Sequence, residues 1–206
     1  MRWTTLLFTV LWGCGPASLS GEVDGGRVGG ARDAVFDTYS LDLGPFGELD
    51  YAVVVLTDFA DACEVLEAYT DAFEGDCEER CEGYVDVTEE FGLGAESYWS
   101  FSMTLNVSDG EEGEFDLDTE LGDGEFVASF SSWDARPLQD QDSCEESCKD
   151  NELFDADEEE GEDGRVEITR AETDLMSGRF DVELGGDEGL GGSFDARPCD
   201  TEDWAF

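Results

Sequence analysis

The sequence predicts a mainly β domain of the α+β class, an antiparallel sheet or sandwich built from two three-strand meanders with two or three short disulfide-linked helices. Three observations predict this fold. Short runs rich in β-branched and aromatic residues are separated by Asp-Gly turns, which is the pattern of β-hairpins. Six of the cysteines are spaced so that they can link helices to each other and to a strand. The chain has 206 residues, of which 40% are hydrophobic, so it can bury a sizeable core.

The charge of the chain excludes several classes of partner. There are 55 acidic and 10 basic residues and no histidine, which gives a net charge of −45. Affinity for phosphate backbones comes largely from Lys and Arg, so we expect no nucleic-acid partner. An anionic membrane surface is repelled for the same reason. Without histidine, the chain lacks the usual general base at neutral pH and the commonest metal ligand.

Residues 1–13 have the pattern of a signal peptide. Arg2 supplies one positive charge, and an apolar run without acids follows from Trp3 to Trp12. This run is too short to span a bilayer. Cleavage at its end predicts an exported protein, a setting in which cysteines form disulfide bonds.

The end of this segment, Leu11-Trp12-Gly13-Cys14, resembles the lipobox of bacterial lipoproteins. In that family a small residue precedes a cysteine that is acylated and becomes the N-terminus. The resemblance implies acylation of Cys14 and a membrane partner reached through a lipid anchor. Gly15 stands where enteric lipoproteins of the inner membrane carry Asp, which implies the outer membrane. Ordinary cleavage after Ala17 is the alternative.

The rest of the chain is expected to form one domain. Residues 14–33 are Gly-rich and polar, and we expect a lipidated N-terminus and a flexible tether there, with a short strand near 21–28. Residues 34–206 are expected to form a single disulfide-linked domain. Its end, Phe194-Asp-Ala-Arg-Pro-Cys199, is loosely similar to the tails of uncharacterised lipoproteins of deltaproteobacterial type, which lend no known activity.

A strand and a helix are predicted near the start of this domain. The β-branched run 51–57 (YAVVVLT) is typical of a buried strand. In the stretch that follows, five apolar side chains recur at helical spacing and predict a helix with one face in the core: Phe59, Ala62, Cys63, Leu66 and Tyr69. Asp58 is expected to cap this helix.

A weak internal repeat predicts the two meanders. Residues 113–117 (GEFDL) resemble 178–182 (GRFDV), and 132–137 (SWDARP) resemble 193–198 (SFDARP). Strand-like runs lie upstream of each unit, at 98–107 and 165–169. Arg136 and Arg197 are expected to pair with carboxylates where their strands end, and the alternative is that they bind a ligand.

The cysteine count supports export. Seven cysteines are present, so acylation of Cys14 leaves six that can pair completely. Two C-x₃-C pairs lie in helix-favouring sequence, and a spacing of four puts both sulfurs on one helix face. Antiparallel packing of these helices predicts Cys77–Cys148 and Cys81–Cys144, which leaves Cys63–Cys199. A four-cysteine zinc site is the alternative.

Two further sets of residues are candidate binding sites. Asp155, Asp157 and Glu159 alternate like the start of a calcium-binding EF-hand loop, but the glycine and the final glutamate of that loop are out of place, which favours a solvated acidic turn. Trp99, Trp133 and Tyr98 would form a sugar-binding platform if they were exposed on one face. Burial in the core is the simpler interpretation.

The sequence therefore predicts a lipid-anchored, non-enzymatic envelope protein of a salt-adapted Gram-negative bacterium, without a cofactor. No serine or cysteine nucleophile has a histidine partner. A carbohydrate- or calcium-binding exported module is the alternative, with weakly bound divalent cations, and the protein or glycan partner stays open. Because dense carboxylates repel one another, stability is expected to rise with NaCl.

Overall fold

The computed structural model describes residues 16–42, 48–72, 75–95, 97–107, 112–118, 125–150, 156–186 and 188–199. In these residues ten strands form one sheet, accompanied by three α-helices and a 3₁₀ helix at Arg136–Gln139. The mainly β fold is confirmed, as a single sheet rather than a sandwich. No helix in the described ranges has the length and hydropathy to cross a bilayer. The strands are β1 (Ala17–Val23), β2 (Gly26–Gly29), β3 (Asp33–Asp42), β4 (Glu48–Thr57), β5 (Ser97–Asn106), β6 (Gly113–Leu117), β7 (Glu125–Asp134), β8 (Ala156–Glu172), β9 (Leu175–Leu184) and β10 (Gly189–Pro198), and the helices are α1 (Ala62–Asp71), α2 (Cys77–Glu90) and α3 (Gln141–Asp150).

The sheet closes on itself at β10. Its order is β2-β1-β10-β3-β4-β5-β7-β6-β8-β9, and β9 pairs with β10 as well. The other edge of β10 is shared, since β1 pairs with its first part and β3 with its last two residues. The β3 pairing is parallel and short, Arg197 with Val35 and Pro198 with Phe36. β10 therefore joins the two ends of the sheet but covers only part of β3.

Alternating side chains fill the interior of the closed sheet. Ala52, Val54 and Leu56 of β4 point into the main core, whereas Val53 and Val55 between them pack in a second cluster with α1. Both faces of β4 are thus buried, as its unbroken apolar run indicated. Across the interior, the Phe101 and Phe180 rings of β5 and β9 stack with centroids 4.9 Å apart.

Helix α1 begins later than predicted and is capped by a different residue. The backbone N–H of Ala62 donates to Asp33 Oδ2 at 2.8 Å, so a carboxylate of β3 satisfies the helix start. Asp58 instead accepts a 3.0 Å hydrogen bond from the backbone N–H of Trp99 on β5. The expected Asp58 cap is wrong because this carboxylate joins the preceding loop to the sheet. Burial raises the pKa of the Asp58 carboxyl.

Two parts of the predicted topology are corrected. Strands β8, β9 and β10 form the second meander as predicted, but β6 does not lie between β5 and β7. β5 pairs directly with β7, and β6 pairs mainly with β8, which places Phe115 in the core beside Val166. Residues 17–29 form a hairpin of the sheet rather than part of a tether, because Leu19 and Val23 are buried in the main core. The described sheet therefore includes part of the segment that was expected to be a tether.

Candidate functional site

A groove of about 440 Å³ lies where β10 ends. One wall is the edge of β3 with the neighbouring residues of β4, and the opposite wall is the turn between β8 and β9. Its floor includes Met176, and Cys199 closes one end. The residues along the β3 and β4 wall are Phe36, Asp37, Thr38, Tyr39, Ser40, Asp50, Tyr51 and Ala52. The groove therefore lies beside the part of β3 that β10 does not pair with.

Two tyrosines form the aromatic part of this groove. Tyr39 and Tyr51 face each other across the β3–β4 pair, and their rings stack with centroids 5.3 Å apart. Tyr39 remains 47% exposed, an unusual value for a large side chain in this otherwise well-packed fold. Burial, followed by the neighbouring Tyr51, raises the pKa of its phenol, so the ring is neutral at physiological pH. Its face is available to a ligand.

The backbone of β3 turns alternate polar groups toward the groove. The Phe36 carbonyl accepts a 2.8 Å hydrogen bond from the Cys199 N–H, so it points to the edge that β10 occupies. The backbone N–H and C=O groups of every second residue in a strand point to the same edge. Those of Thr38 and Ser40 therefore point to the same edge as the Phe36 carbonyl, beyond the end of β10. The Thr38 N–H donates there to Asp37 Oδ1 at 2.7 Å instead of to a strand.

Carboxylates dominate the charge of the groove. Asp37, Asp50 and Glu172 line it, and no described lining residue is basic. The Ser40 hydroxyl donates to Asp50. Glu172 accepts a 2.7 Å hydrogen bond from Arg170, which holds the pKa of this carboxyl below its usual value. The surface offers an aromatic face, hydrogen-bonding backbone and negative charge, which suit binding of a cationic group.

The chain was compared with models of protein families, with curated proteins and with solved structures. None of them matches. The groove's own residues therefore define what it can bind. The sequence did not single out this site, because the exposure of Tyr39 depends on where β10 stops along β3. The one local signal was a single aromatic residue, Tyr39, among the polar residues of 37–40 (DTYS).

The structure contains the three predicted disulfide bonds. Two of them, Cys77–Cys148 and Cys81–Cys144, join α2 to α3, and the third joins α1 to the end of β10. A capping box starts α2, with Asp76 accepting from the backbone N–H of Glu79, and places the first cysteine in the first turn. The four cysteines of α2 and α3 are all oxidised and cannot form the alternative zinc site.

The two Asp-Ala-Arg-Pro segments have structural roles. Arg136 forms a 2.6 Å ion pair with Asp134 at the end of β7. Arg197 donates to Glu64 of α1 at 2.7 Å and to Asp33 at 3.3 Å, so it ties β10 to the helix start beside the disulfide bond. Its hydrogen bonds lower the pKa of the Glu64 carboxyl. Carboxylates of the same chain thus occupy both arginines, as the structural interpretation predicted.

The proposed aromatic platform is not formed. Tyr98 is buried with Trp133 against Phe59 on the outer face of the sheet, under α1. Trp99, the next residue of β5, points to the other face and stacks on Phe130 at 5.8 Å. Because successive side chains of a strand alternate between faces, Trp99 lies on the opposite face from Tyr98 and Trp133. Tyr98 and Trp133 do share a face, but they pack there against Phe59 instead of forming an open surface. They are core residues.

The candidate calcium residues do not form a loop. Asp157 and Glu159 lie in β8, where Asp157 pairs with Ser132 and Glu159 with Phe130 of β7. Asp155 lies outside the described residues. An EF-hand site needs a turn that brings its carboxylates together, whereas an extended strand holds them apart. Within the described residues, no group of three or more potential metal ligands is present.

Proposed function

We propose that this chain is an exported envelope protein without a catalytic role, held at the outer membrane by lipid on Cys14. The observation that supports the proposal best is the complete pairing of the other six cysteines. Cys14 is the one cysteine left over. It lies directly after the predicted signal peptide, at the position that lipoproteins acylate.

The start of the first strand supports cleavage before Cys14 rather than after Ala17. Ala17 pairs with Phe194, and the Pro16 carbonyl accepts a 2.6 Å hydrogen bond from the Asp195 N–H. Cleavage after Ala17 would remove both interactions and leave a charged amine at the edge of the sheet. Cleavage before Cys14 keeps the complete strand.

This geometry also predicts how closely the domain approaches the membrane. Only Gly15 separates Cys14 from Pro16, and an extended chain spans at most ~3.6 Å per residue. An acylated Cys14 would therefore lie within ~8 Å of Pro16, whose carbonyl is hydrogen-bonded to β10. At that distance the carboxylates of the domain are repelled by anionic lipid headgroups. Salt screens this repulsion beyond about 8 Å at 0.15 M. We therefore expect the domain to lie on a neutral or salt-screened membrane surface.

The test is acylation and sorting of the full chain in a Gram-negative host. With radiolabelled palmitate, the wild-type chain should be labelled and fractionate with the outer membrane, and Cys14→Ala should lose both the label and membrane association. Gly15→Asp is the matched control, because it keeps the acylated cysteine. The resemblance implies that this variant stays labelled and moves to the inner membrane. An unlabelled wild-type chain, or one whose mature N-terminus is Ser18, would overturn the proposal.

A further inference from the structure

We propose that the groove beside β3 docks an extended peptide of a partner protein, which adds a strand to the sheet and places Lys or Arg side chains over Tyr39. This inference goes beyond the proposed function, since it concerns a protein partner and does not depend on the lipid. It rests on the gap in the closed sheet, on the direction of the β3 backbone and on the charge of the groove.

The edge of β3 beside the groove is only partly paired among the described residues. β10 pairs with β3 only through Arg197 and Pro198, while β3 continues to Asp42. Among the described residues, no strand pairs with this edge of β3 beyond Phe36. Backbone groups at such an edge are a template for a further strand, and peptides bind several domain families in this way. The main-chain hydrogen bonds supply affinity, and alternate side chains supply specificity.

Asp37 gives the edge a partner that an incoming peptide can replace. Its carboxylate accepts from the Thr38 N–H at 2.7 Å, which satisfies this donor without a strand. A peptide carbonyl would take the same N–H, and the negative charge of Asp37 at this edge would attract a basic side chain of that peptide. Asp37 thus satisfies this donor when no peptide is bound, and the charge at the edge is complementary to a basic peptide.

The side chains on the two faces of the groove set the composition of the peptide. Asp37 and Tyr39 lie on the outer face of β3, where an ammonium or guanidinium group meets a carboxylate and an aromatic ring. Phe36 and Met176 lie toward the interior. Alternating basic and apolar residues therefore fit best. Residues 200–206 (DTEDWAF) follow β10 in the chain and contain three acids. The carboxylates of the groove repel these acids, so the charge favours a basic peptide from a partner protein.

The first experiment compares short peptides bound by the full chain with its disulfide bonds formed. The probe is acetyl-Lys-Val-Lys-Val-Lys-Val-Lys-amide with a fluorophore, and the matched control has Glu in place of Lys. We expect saturable binding of the Lys peptide, at least tenfold tighter than the Glu peptide, that weakens as NaCl is raised from 0.05 to 0.5 M. Equal binding of the two peptides, or no binding at either salt concentration, would overturn the proposal.

Methylation of the peptide backbone tests strand addition without altering the protein. Methyl groups on the nitrogens of alternate residues block one edge of the added strand, and shifting them by one residue blocks the other edge. One of these two isomers should bind at least tenfold more weakly, and the second should bind like the parent peptide. Binding of both isomers like the parent would show attraction by charge alone and would overturn strand addition.

Substitutions then locate the site. Tyr39→Ala should weaken binding about two- to fivefold, the size of an exposed cation–π contact, while Tyr39→Phe should retain it. Asp37→Asn should weaken it more than Asp181→Asn, which alters a carboxylate of β9 outside the groove. Equal effects of these two Asn variants would overturn the site. Binding that occurs only after truncation at Cys199 would show that the chain's own residues 200–206 fill the groove, and would also overturn the proposal.

Discussion

Removing the Cys63–Cys199 disulfide bond should destabilise the protein more than removing the Cys81–Cys144 bond. The three bonds are nested, with sequence separations of 136, 71 and 63 residues. With the outer bond between α2 and α3 intact, the Cys63–Cys199 bond closes a loop of about 65 residues, whereas the inner bond closes only about eight. The chain-entropy relation gives stabilisation of about 4 kcal/mol for the first and about 2.5 kcal/mol for the second.

The assay is urea unfolding of two variants in which both cysteines of one pair are replaced by alanine, in 1 M NaCl to reduce charge repulsion. Cys63→Ala/Cys199→Ala should lose about 2 kcal/mol more than Cys81→Ala/Cys144→Ala. Cys81 and Cys144 are fully buried, whereas Cys63 is only partly buried. The loss of packing should therefore be larger for the Cys81/Cys144 variant, which works against the difference predicted from loop length. Equal losses, or a larger loss for the inner pair, would refute the reasoning from loop length.

Salt, pH and added methyl groups test other parts of the structure. The melting temperature should rise by several degrees between 0.05 and 2 M NaCl, because salt screens a net charge of −45, and a flat or falling curve would contradict this. Glu64→Gln should lower the free energy of unfolding above pH 4.5, where the carboxylate pairs with Arg197. Because Arg197 lowers the pKa of Glu64 in the folded protein, the difference from wild type should shrink as the pH falls below 4.5 and through that lowered pKa. Glu67→Gln on the same helix is the control in those titrations, and a pH-independent Glu64→Gln difference would count against the ion pair. Gly192→Ala would put its Cβ 2.0 Å from a carbonyl oxygen of β1 and should cost about 1–3 kcal/mol in thermal unfolding. Gly94→Ala, in open space, should stay within about 0.5 kcal/mol of wild type, and equal effects of the two would mean that β1 and β10 are not closely paired.

The parts of the fold that were predicted are those fixed by local spacing. The four-residue separation of Cys77 and Cys81, repeated at Cys144 and Cys148, places each pair of sulfurs on one helix face and specifies how two antiparallel helices join. The apolar run at 51–57 indicated a strand buried on both faces, and the structure packs α1 against its outer side. Each of these signals comes from residues within about seven positions of one another in the sequence.

The parts that were missed depend on contacts between distant residues. Nothing in 113–117 indicates that β6 pairs with β8 rather than between β5 and β7, since that choice depends on where Phe115 enters the core. The acids of 157–163 disfavour a strand by propensity, yet pairing with β7 and β9 holds them extended with their side chains toward solvent. The groove exists because β10 ends at Pro198 while β3 continues, a difference in length between strands about 160 residues apart.

Intact mass spectrometry of the chain extracted from membranes tests whether Cys14 is acylated and the other six cysteines are paired. The protein is treated with a thiol-alkylating reagent before and after reduction, so that free and disulfide-bonded sulfurs are counted separately. We expect no alkylation before reduction, six alkylated cysteines after it, and a mature chain that starts at Cys14 with the added mass of acyl groups. A chain that keeps residues 1–13, or a seventh cysteine that reacts with the reagent, would contradict it.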